Sequence, residues 1–290
     1  MSQKKYAVFT MDVETFADTD CIRNASIPVN VDLMDGLEEY LKILDKYQIK
    51  STLFTVGDLA PQMASRLQQH IDNGHRIALH SYSHIAPMSV PLEQFKEKTR
   101  QAKAQMQELF GVDVVGFRAP CFSMDTARLD VLRELGFTYD SSHLDFLPAR
   151  HTVKMDLNHF RQLRKNIFRR DRFYEFGLSK EKVFGKAFPI SGGGYVRLSN
   201  WGFIKTLIQH HIQKNDYYVF YLHPFELTKQ KVPFLKGLKT YDKFYIRQGI
   251  GSYGRRIKKI IRMLQKDGYE FVTFEQLVHI MDREKAESAL

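Results

Sequence analysis

The strongest constraint on the fold is rhythm. Short apolar runs rich in β-branched and aromatic residues alternate with longer stretches whose apolar residues recur at helical spacing. "YAVFTM" leads into "DLMDGLEEYLKILDKYQ", in which Leu33, Leu37, Tyr40, Leu41, Leu44 and Tyr47 mark one helix face. "STLFTV" follows, then a helix from about Pro61 to Asn73 that stops at Gly74, then "HRIALH". The long helix "PLEQFKEKTRQAKAQMQELF", the strand "DVVGF", the helix "DTARLDVLRELGF" and the short run "TYDSS" continue the pattern. Between Ser142 and Ala187 the rhythm fails, so a basic insertion or long loop is expected at about 143–186. It resumes with "KAFPI", a helix around Trp201–Gln213, the strand "YYVFYLH", the basic helix "YGRRIKKIIRMLQKDG", "YEFVTF" and a closing helix. Seven or eight strand–helix units without a dividing linker predict one α/β domain over residues 1–290, a (β/α) barrel of parallel strands.

Composition narrows the function classes. With 43% hydrophobic and 26% charged residues, the chain is globular rather than disordered or fibrous. The N-terminal lysines are followed by no signal-like apolar segment, and no apolar run is long enough to span a bilayer, so a cytoplasmic location is expected. Two cysteines a hundred positions apart, Cys21 and Cys121, suggest neither a disulfide framework nor a zinc ribbon. The net charge of +10 is concentrated: eleven Lys/Arg against four Asp/Glu from Arg150 to Lys186, and ten against one from Lys229 to Lys259. Such blocks attract polyanions or anionic membrane surfaces, or simply form solvated faces. Nucleic acid is not expected, because no binding module accompanies the charge.

In a parallel barrel the chemistry collects at the carboxyl ends of the strands. The first strand ends in Asp12 and Glu14, the third in "HSYSH" with His80 and His84, the fourth in "RAPCFS" with Arg118, and a late strand in "YLHPFE" with His223. Two imidazoles and one carboxylate are a common ligand set for a catalytic zinc with an open position. The histidine pair follows a strand and lacks the glutamate of a helical HExxH site. Taken singly, each residue has a structural reading too: Arg118 as partner of a structural acid, His223 as a satisfied core histidine, Cys121 as packing. "GGGYVRL", Gly192–Leu198, lacks the spacing of a phosphate-binding loop.

Together, "TMDVE", "HSYSH", "GFRAPCFS", "YDSS" and "YLHPFE", in this order from about Tyr6 to Val278, resemble the polysaccharide deacetylases, the NodB-homology carbohydrate esterases. The "DVE" first motif and the "GGGYxRL" segment resemble the branch found in exopolysaccharide and surface-glycan biosynthesis. The resemblance implies a distorted (β/α) barrel and one divalent metal, zinc first, with cobalt, nickel or iron as alternatives. It implies His80 and His84 as metal ligands, Asp12 as catalytic base, Arg118 as the arginine that holds the base, and His223 as general acid. A backbone N–H near Cys121 would help stabilise the oxyanion.

The family's first motif has adjacent aspartates, base then ligand, whereas Val13 here separates Asp12 from Glu14. Strand alternation points Asp12 and Glu14 to one face, which favours Glu14 as the ligand, with Asp12 as ligand the alternative. The family's aspartate that orients the catalytic histidine has no counterpart we can place. The expected activity is metal-dependent N-deacetylation of an acetamido sugar in a surface-glycan precursor, lipid- or nucleotide-linked, with contact to the inner face of an anionic membrane left open. The alternatives are a catalytically silent glycan-binding module and a hydrolase of a small or cyclic amide C–N bond.

Overall fold

The computed structural model describes residues 4–19, 21, 22, 25, 31–144 and 155–287, with side chains to 284. In chain order the elements are β1 (Lys5–Val13), α1 (Asp35–Asp45), β2 (Thr52–Thr55), α2 (Ala64–Asp72), β3 (Arg76–Leu79), α3 (Leu92–Phe110), β4 (Gly116–Phe117), α4 (Thr126–Glu134) and β5 (Tyr139–Asp140). Then follow β6 (Arg161–Arg164), β7 (Ile167–Arg170), β8 (Phe173–Phe176), β9 (Lys180–Val183) and β10 (Lys186–Pro189). The chain closes with α5 (Gly193–Leu198), α6 (Trp201–Lys214), β11 (Tyr217–Phe220), α7 (Thr240–Tyr245), α8 (Ile250–Lys266), β12 (Tyr269–Phe271) and α9 (Phe274–Glu287).

The main sheet runs β11-β1-β2-β3-β4-β5-β8-β7-β6, and β12 also pairs with β1. Every ladder from β11 across to β8 is parallel, as is that of β12, so eight strands form the parallel sheet expected of a barrel. The sheet curls without closing. Among the described residues no ladder joins β8 to β11, and the segment between them spans the gap instead. There Val219 N donates to Ser179 Oγ (3.0 Å), Ser191 Oγ to Ser179 O (2.8 Å) and Tyr221 N to Ser191 O (2.7 Å).

Strand alternation sorts the core into two layers. On β1, Ala7, Phe9, Met11 and Val13 turn towards the helices, while Tyr6 and Val8 join Phe54, Tyr139, Phe176 and Tyr217 in a second cluster. Phe274 closes this cluster, its ring 4.9 Å from that of Phe176 and 5.4 Å from that of Tyr139. Outside, α8 buries Tyr253, Ile257, Ile260, Ile261 and Leu264 along one stripe and leaves its basic residues facing away. No helix among the described residues is long and apolar enough to cross a membrane.

Two segments depart from the sequence reading. "KAFPI" is a strand, β10, but it pairs antiparallel with β9 in a separate hairpin and contributes nothing to the barrel. The parallel strand that takes its place is β8, "FYEF", from the stretch without rhythm, paired parallel to β5 and antiparallel to β7. Its flanking arginines and buried Glu175 hide the pattern. Residues 145–154 of the expected insertion lie outside the described residues.

Candidate active site

The inward face of β1 changes character along its length: Tyr6 and Val8 are apolar, Thr10 and Asp12 polar, and Glu14 keeps the same parity one residue beyond the strand. Both acids are buried, at 2% and 4% exposure, so each needs a compensating partner.

Asp12 has one in Arg118, which is wholly buried. Arg118 Nη1 donates to Asp12 Oδ1 (2.7 Å) and to Thr10 Oγ1 (2.8 Å), Nη2 donates to Ser141 Oγ (2.9 Å), and Nε to Ser141 O (3.1 Å). Phe54 lies under the guanidinium, 4.1 Å from it. Five contacts thus fix the position of the charge beside Asp12.

Glu14 faces histidines. Its Oε2 lies 2.7 Å from His84 Nε2 and 3.5 Å from His80 Nε2, and its Oε1 lies 3.9 Å from His223 Nε2. His80 Nδ1 donates to the carbonyl of Arg118 (2.8 Å), which can only accept, and this contact turns the ring so that Nε2 faces Glu14. The Nε2 atoms of His80 and His84 and the Glu14 carboxylate thus converge on one buried point where a cation would be compensated. Glu14, His80 and His84 each offer one ligand atom, all within 4.8 Å of one another, and the carbonyl behind His80 is a common support for a ligating imidazole. The residues therefore fit a divalent metal. Burial pushes the Glu14 carboxyl up, but the charges of His84 and His223 and hydrogen bonds from His80 and His84 prevail and hold it well below the usual range.

His223 follows β11 and opens a tight turn, Pro224–Leu227. Its Nδ1 donates to Glu226 Oε2 (3.1 Å), which also accepts from the His223 backbone N–H (3.1 Å). Arg197 Nε donates to the other Glu226 oxygen (2.7 Å), and both side chains are completely buried. Arg197 also donates to the carbonyls of Tyr245 and Gln248. This chain explains "GGGYVRL": α5 carries Arg197 beneath His223. Gly192, at φ 122°, lets α5 start so close that a Cβ there would stand 2.0 Å from the Tyr221 carbonyl oxygen. Burial works against a charge on His223, yet Glu14, Glu226 and Asp12 raise its pKa to about 9. Replacing Glu226 with Gln removes one of those anions, so the His223 pKa is expected to fall. The basic limb of the kcat/KM profile should then move to lower pH, on the order of one unit.

The "YDSS" segment supports Arg118 through Ser141 and hides a second acid pair. Ser142 N–H donates to both Asp140 Oδ2 (2.9 Å) and Glu175 Oε1 (3.1 Å), bringing two wholly buried carboxyls together. Glu175 Oε2 has no hydrogen-bond partner. Burial and the neighbouring Asp140 push Glu175 well above the usual range, and burial raises Asp140 to about 6, so the pair holds a proton at neutral pH. Raised carboxyl pKa values stabilise the fold fully below about pH 4, and that stability is lost as pH rises through the folded-state value. Urea titrations from pH 4 to 7 should therefore show Glu175→Gln gaining on the wild type as pH rises.

Asp12, Glu14, His80, His84, Arg118 and His223 thus meet at one end of the sheet. Cys121, half-buried, stands in the turn after Arg118, where it and Phe122 take left-handed φ values of 56° and 53°. Sequence reasoning missed Thr10, Ser141, Arg197 and Glu226. For Glu226 the signal was its place three residues after His223, within reach across one turn.

Residues 25–139, which hold His80, His84, Arg118 and Cys121, match the family model described as polysaccharide deacetylase. Residues 146–279, which hold Arg197, His223 and Glu226, match a domain of unknown function, DUF3473. The peptidoglycan deacetylase of Helicobacter pylori is 28% identical over 115 residues, 39% of this chain and 39% of that one, so the match spans about two fifths of this curated relative's length. Among solved structures, a candidate polysaccharide deacetylase from Mycobacterium smegmatis superposes with a TM-score of 0.63 at 17% identity, over 98% of this chain and 93% of that chain. A family 4 acetyl xylan esterase from Clostridium thermocellum, in complex with a cobalt ion, has a TM-score of 0.50 at 16% identity, over 95% and 91% of the two chains. Both structural likenesses establish the curled-sheet fold.

Proposed function

We propose, from the match of residues 25–139 to the polysaccharide deacetylase family, that the chain removes the acetyl group from an acetamido sugar in a surface-glycan or polysaccharide precursor. The observation that carries the proposal is a buried three-ligand set, Glu14, His80 and His84, with two further ionisable groups beside it, Asp12 and His223. Glu14 is the carboxylate ligand in this reading, because it faces both imidazoles while Asp12 is committed to Arg118. Zinc suits one carboxylate and two imidazoles, with cobalt, nickel or iron as alternatives; when bound, the ion supplies Lewis acidity and brings the pKa of water from about 15.7 towards 7.

The chain's own residues do the rest. Asp12, aimed by Arg118, takes the proton of the attacking water. Oxygen bonds to the acetamide carbon, and the carbonyl electrons move onto its oxygen. A backbone N–H in the turn around Cys121 steadies that oxyanion, a type of contact whose loss typically costs about 3 kcal/mol. As the C–N bond breaks, His223 gives its proton to the departing nitrogen, and Glu226 stabilises the imidazolium beforehand. The products are acetate and a free amino sugar. A lipid- or nucleotide-linked glycan in the cytoplasm, at the inner face of the membrane, is the substrate source we favour, since the basic blocks suit a pyrophosphate linkage.

The test is acetate release from N-acetylated oligosaccharides and lipid-linked acetamido sugars by the metal-loaded protein. Release that Asp12→Asn lowers by about 10²–10⁴-fold supports the reading. Ring opening of a cyclic amide with no acetate from any acetamido sugar, or sugar binding without turnover, contradicts it.

A further inference from the structure

The exposed apolar side chains are unevenly distributed. Of eight large hydrophobic residues exposed among the described residues, six fall between positions 184 and 244: Phe184, Tyr195, Phe203, Phe234, Tyr241 and Phe244. Phe184 is fully exposed at the tip of the β9–β10 hairpin. Val183 pairs with Lys186, so Phe184 and Gly185 form a two-residue loop, and both have left-handed φ, 48° and 78°. Such a loop favours Asn-Gly or Asp-Gly, because a bulky residue is strained at positive φ. A phenyl ring here gains nothing from burial in the fold and works against the turn. Its use lies outside the chain.

The hairpin holds the ring out firmly. Glu181 turns inward to His210 Nδ1 (3.0 Å) and His211 Nδ1 (2.8 Å) on α6, which leaves Lys182 and Lys186 beside the tip. Along β10, Phe188 packs edge-on against Phe203 (5.4 Å) and Tyr195 (6.4 Å), linking the hairpin to α6 and α5. Next to α5 comes α7, where Tyr245 is so close that a Cβ on Gly194 would meet its ring at 2.4 Å. Residues 229–247, around α7, carry six Lys/Arg against one acid, and Lys243 and Arg247 lie 5.4 and 5.2 Å from the Phe234 ring centre.

We propose that this face, from the Phe184 hairpin across α5 to α7, docks on the surface of an anionic lipid bilayer. Exposed aromatic rings interleaved with lysines suit the headgroup boundary: rings enter the apolar edge while ammonium groups stay with the phosphates. A soluble polyanion would satisfy the lysines but not a phenyl ring on a hairpin tip. The face also adjoins the reaction centre, since Gly192 pairs with Tyr221, two residues before His223. Docking would hold the site beside the membrane, and only this last point rests on the proposed function.

The test reads binding, not turnover. The protein is floated with vesicles of phosphatidylcholine alone and with vesicles of equal parts phosphatidylcholine and phosphatidylglycerol. It should bind the anionic vesicles at low salt, bind the neutral ones weakly, and release as salt is raised. Phe184→Ser should lower affinity about tenfold, the loss expected for one unburied phenyl ring, at an unchanged melting temperature. Leu109→Ser, an exposed apolar residue on α3, should change nothing. Equal binding to both vesicles, no binding to either, or full binding by Phe184→Ser overturns the proposal. So does a lipid-free dimer that Phe184→Ser dissolves, which would make the face a contact between copies.

Discussion

Glu14→Gln should cost the protein its metal and its activity together. Glutamine keeps the shape of the side chain but removes the anion that His80 and His84 face at 3.5 and 2.7 Å. Two neutral imidazoles alone are a poor site for a divalent cation in a buried setting. The expected loss of metal affinity therefore exceeds the roughly 10–100-fold seen when only a supporting hydrogen bond is removed. Asp12→Asn gives the contrast, because Asp12 sits with Arg118 and outside the ligand set. It should retain metal while losing turnover. Metal content by emission spectroscopy and acetate release, measured on the same preparations, separate the two roles.

Arg118→Met should be the most destabilising single substitution at the site. It leaves Asp12 buried without a cation and strips donors from Thr10 and from both Ser141 oxygens. Breaking one partner of a buried ion pair costs about 3–5 kcal/mol, roughly a fifth or more of the stability of a typical domain. The melting temperature should fall by roughly 10 °C. Arg118→Lys is expected to rescue little, since one ammonium cannot reach Asp12, Thr10 and Ser141 in the geometry of a planar fork. A variant of Arg118 that melts like wild type would show that the buried network contributes nothing to the fold.

Much of the site was legible because a parallel sheet sends chemistry to its strand ends, and those ends are easy to find in sequence. β1, β3 and β11 are largely apolar runs that lead into Asp12, into His80 and, through Tyr221 and Leu222, into His223. Period-two alternation then put Asp12 and Glu14 on one face, and the structure places them there, Asp12 against Arg118 and Glu14 against the histidines. What stayed hidden depended on contacts between distant segments. Glu226 reads as a turn residue until Arg197, 29 positions earlier, is brought beneath it. β8 was obscured because one of its two helix-facing residues is an acid, Glu175, whose company with Asp140 is visible only once β5 and β8 lie side by side. "KAFPI" misled in the opposite sense: its composition is that of a strand, but Pro189 and an exposed Lys186 belong to a peripheral hairpin rather than to a buried parallel ladder.

The central claim is that Glu14, His80 and His84 hold a metal while Asp12 stays free to move a proton. Anomalous scattering at the absorption edge of the metal found in the purified protein tests it in one measurement. The account predicts a single strong peak about 2.0–2.2 Å from a Glu14 oxygen and from one nitrogen each of His80 and His84, with Asp12 still on Arg118. A peak coordinated by Asp12 in place of Glu14, or fully folded protein with no stoichiometric metal at this site, would contradict it.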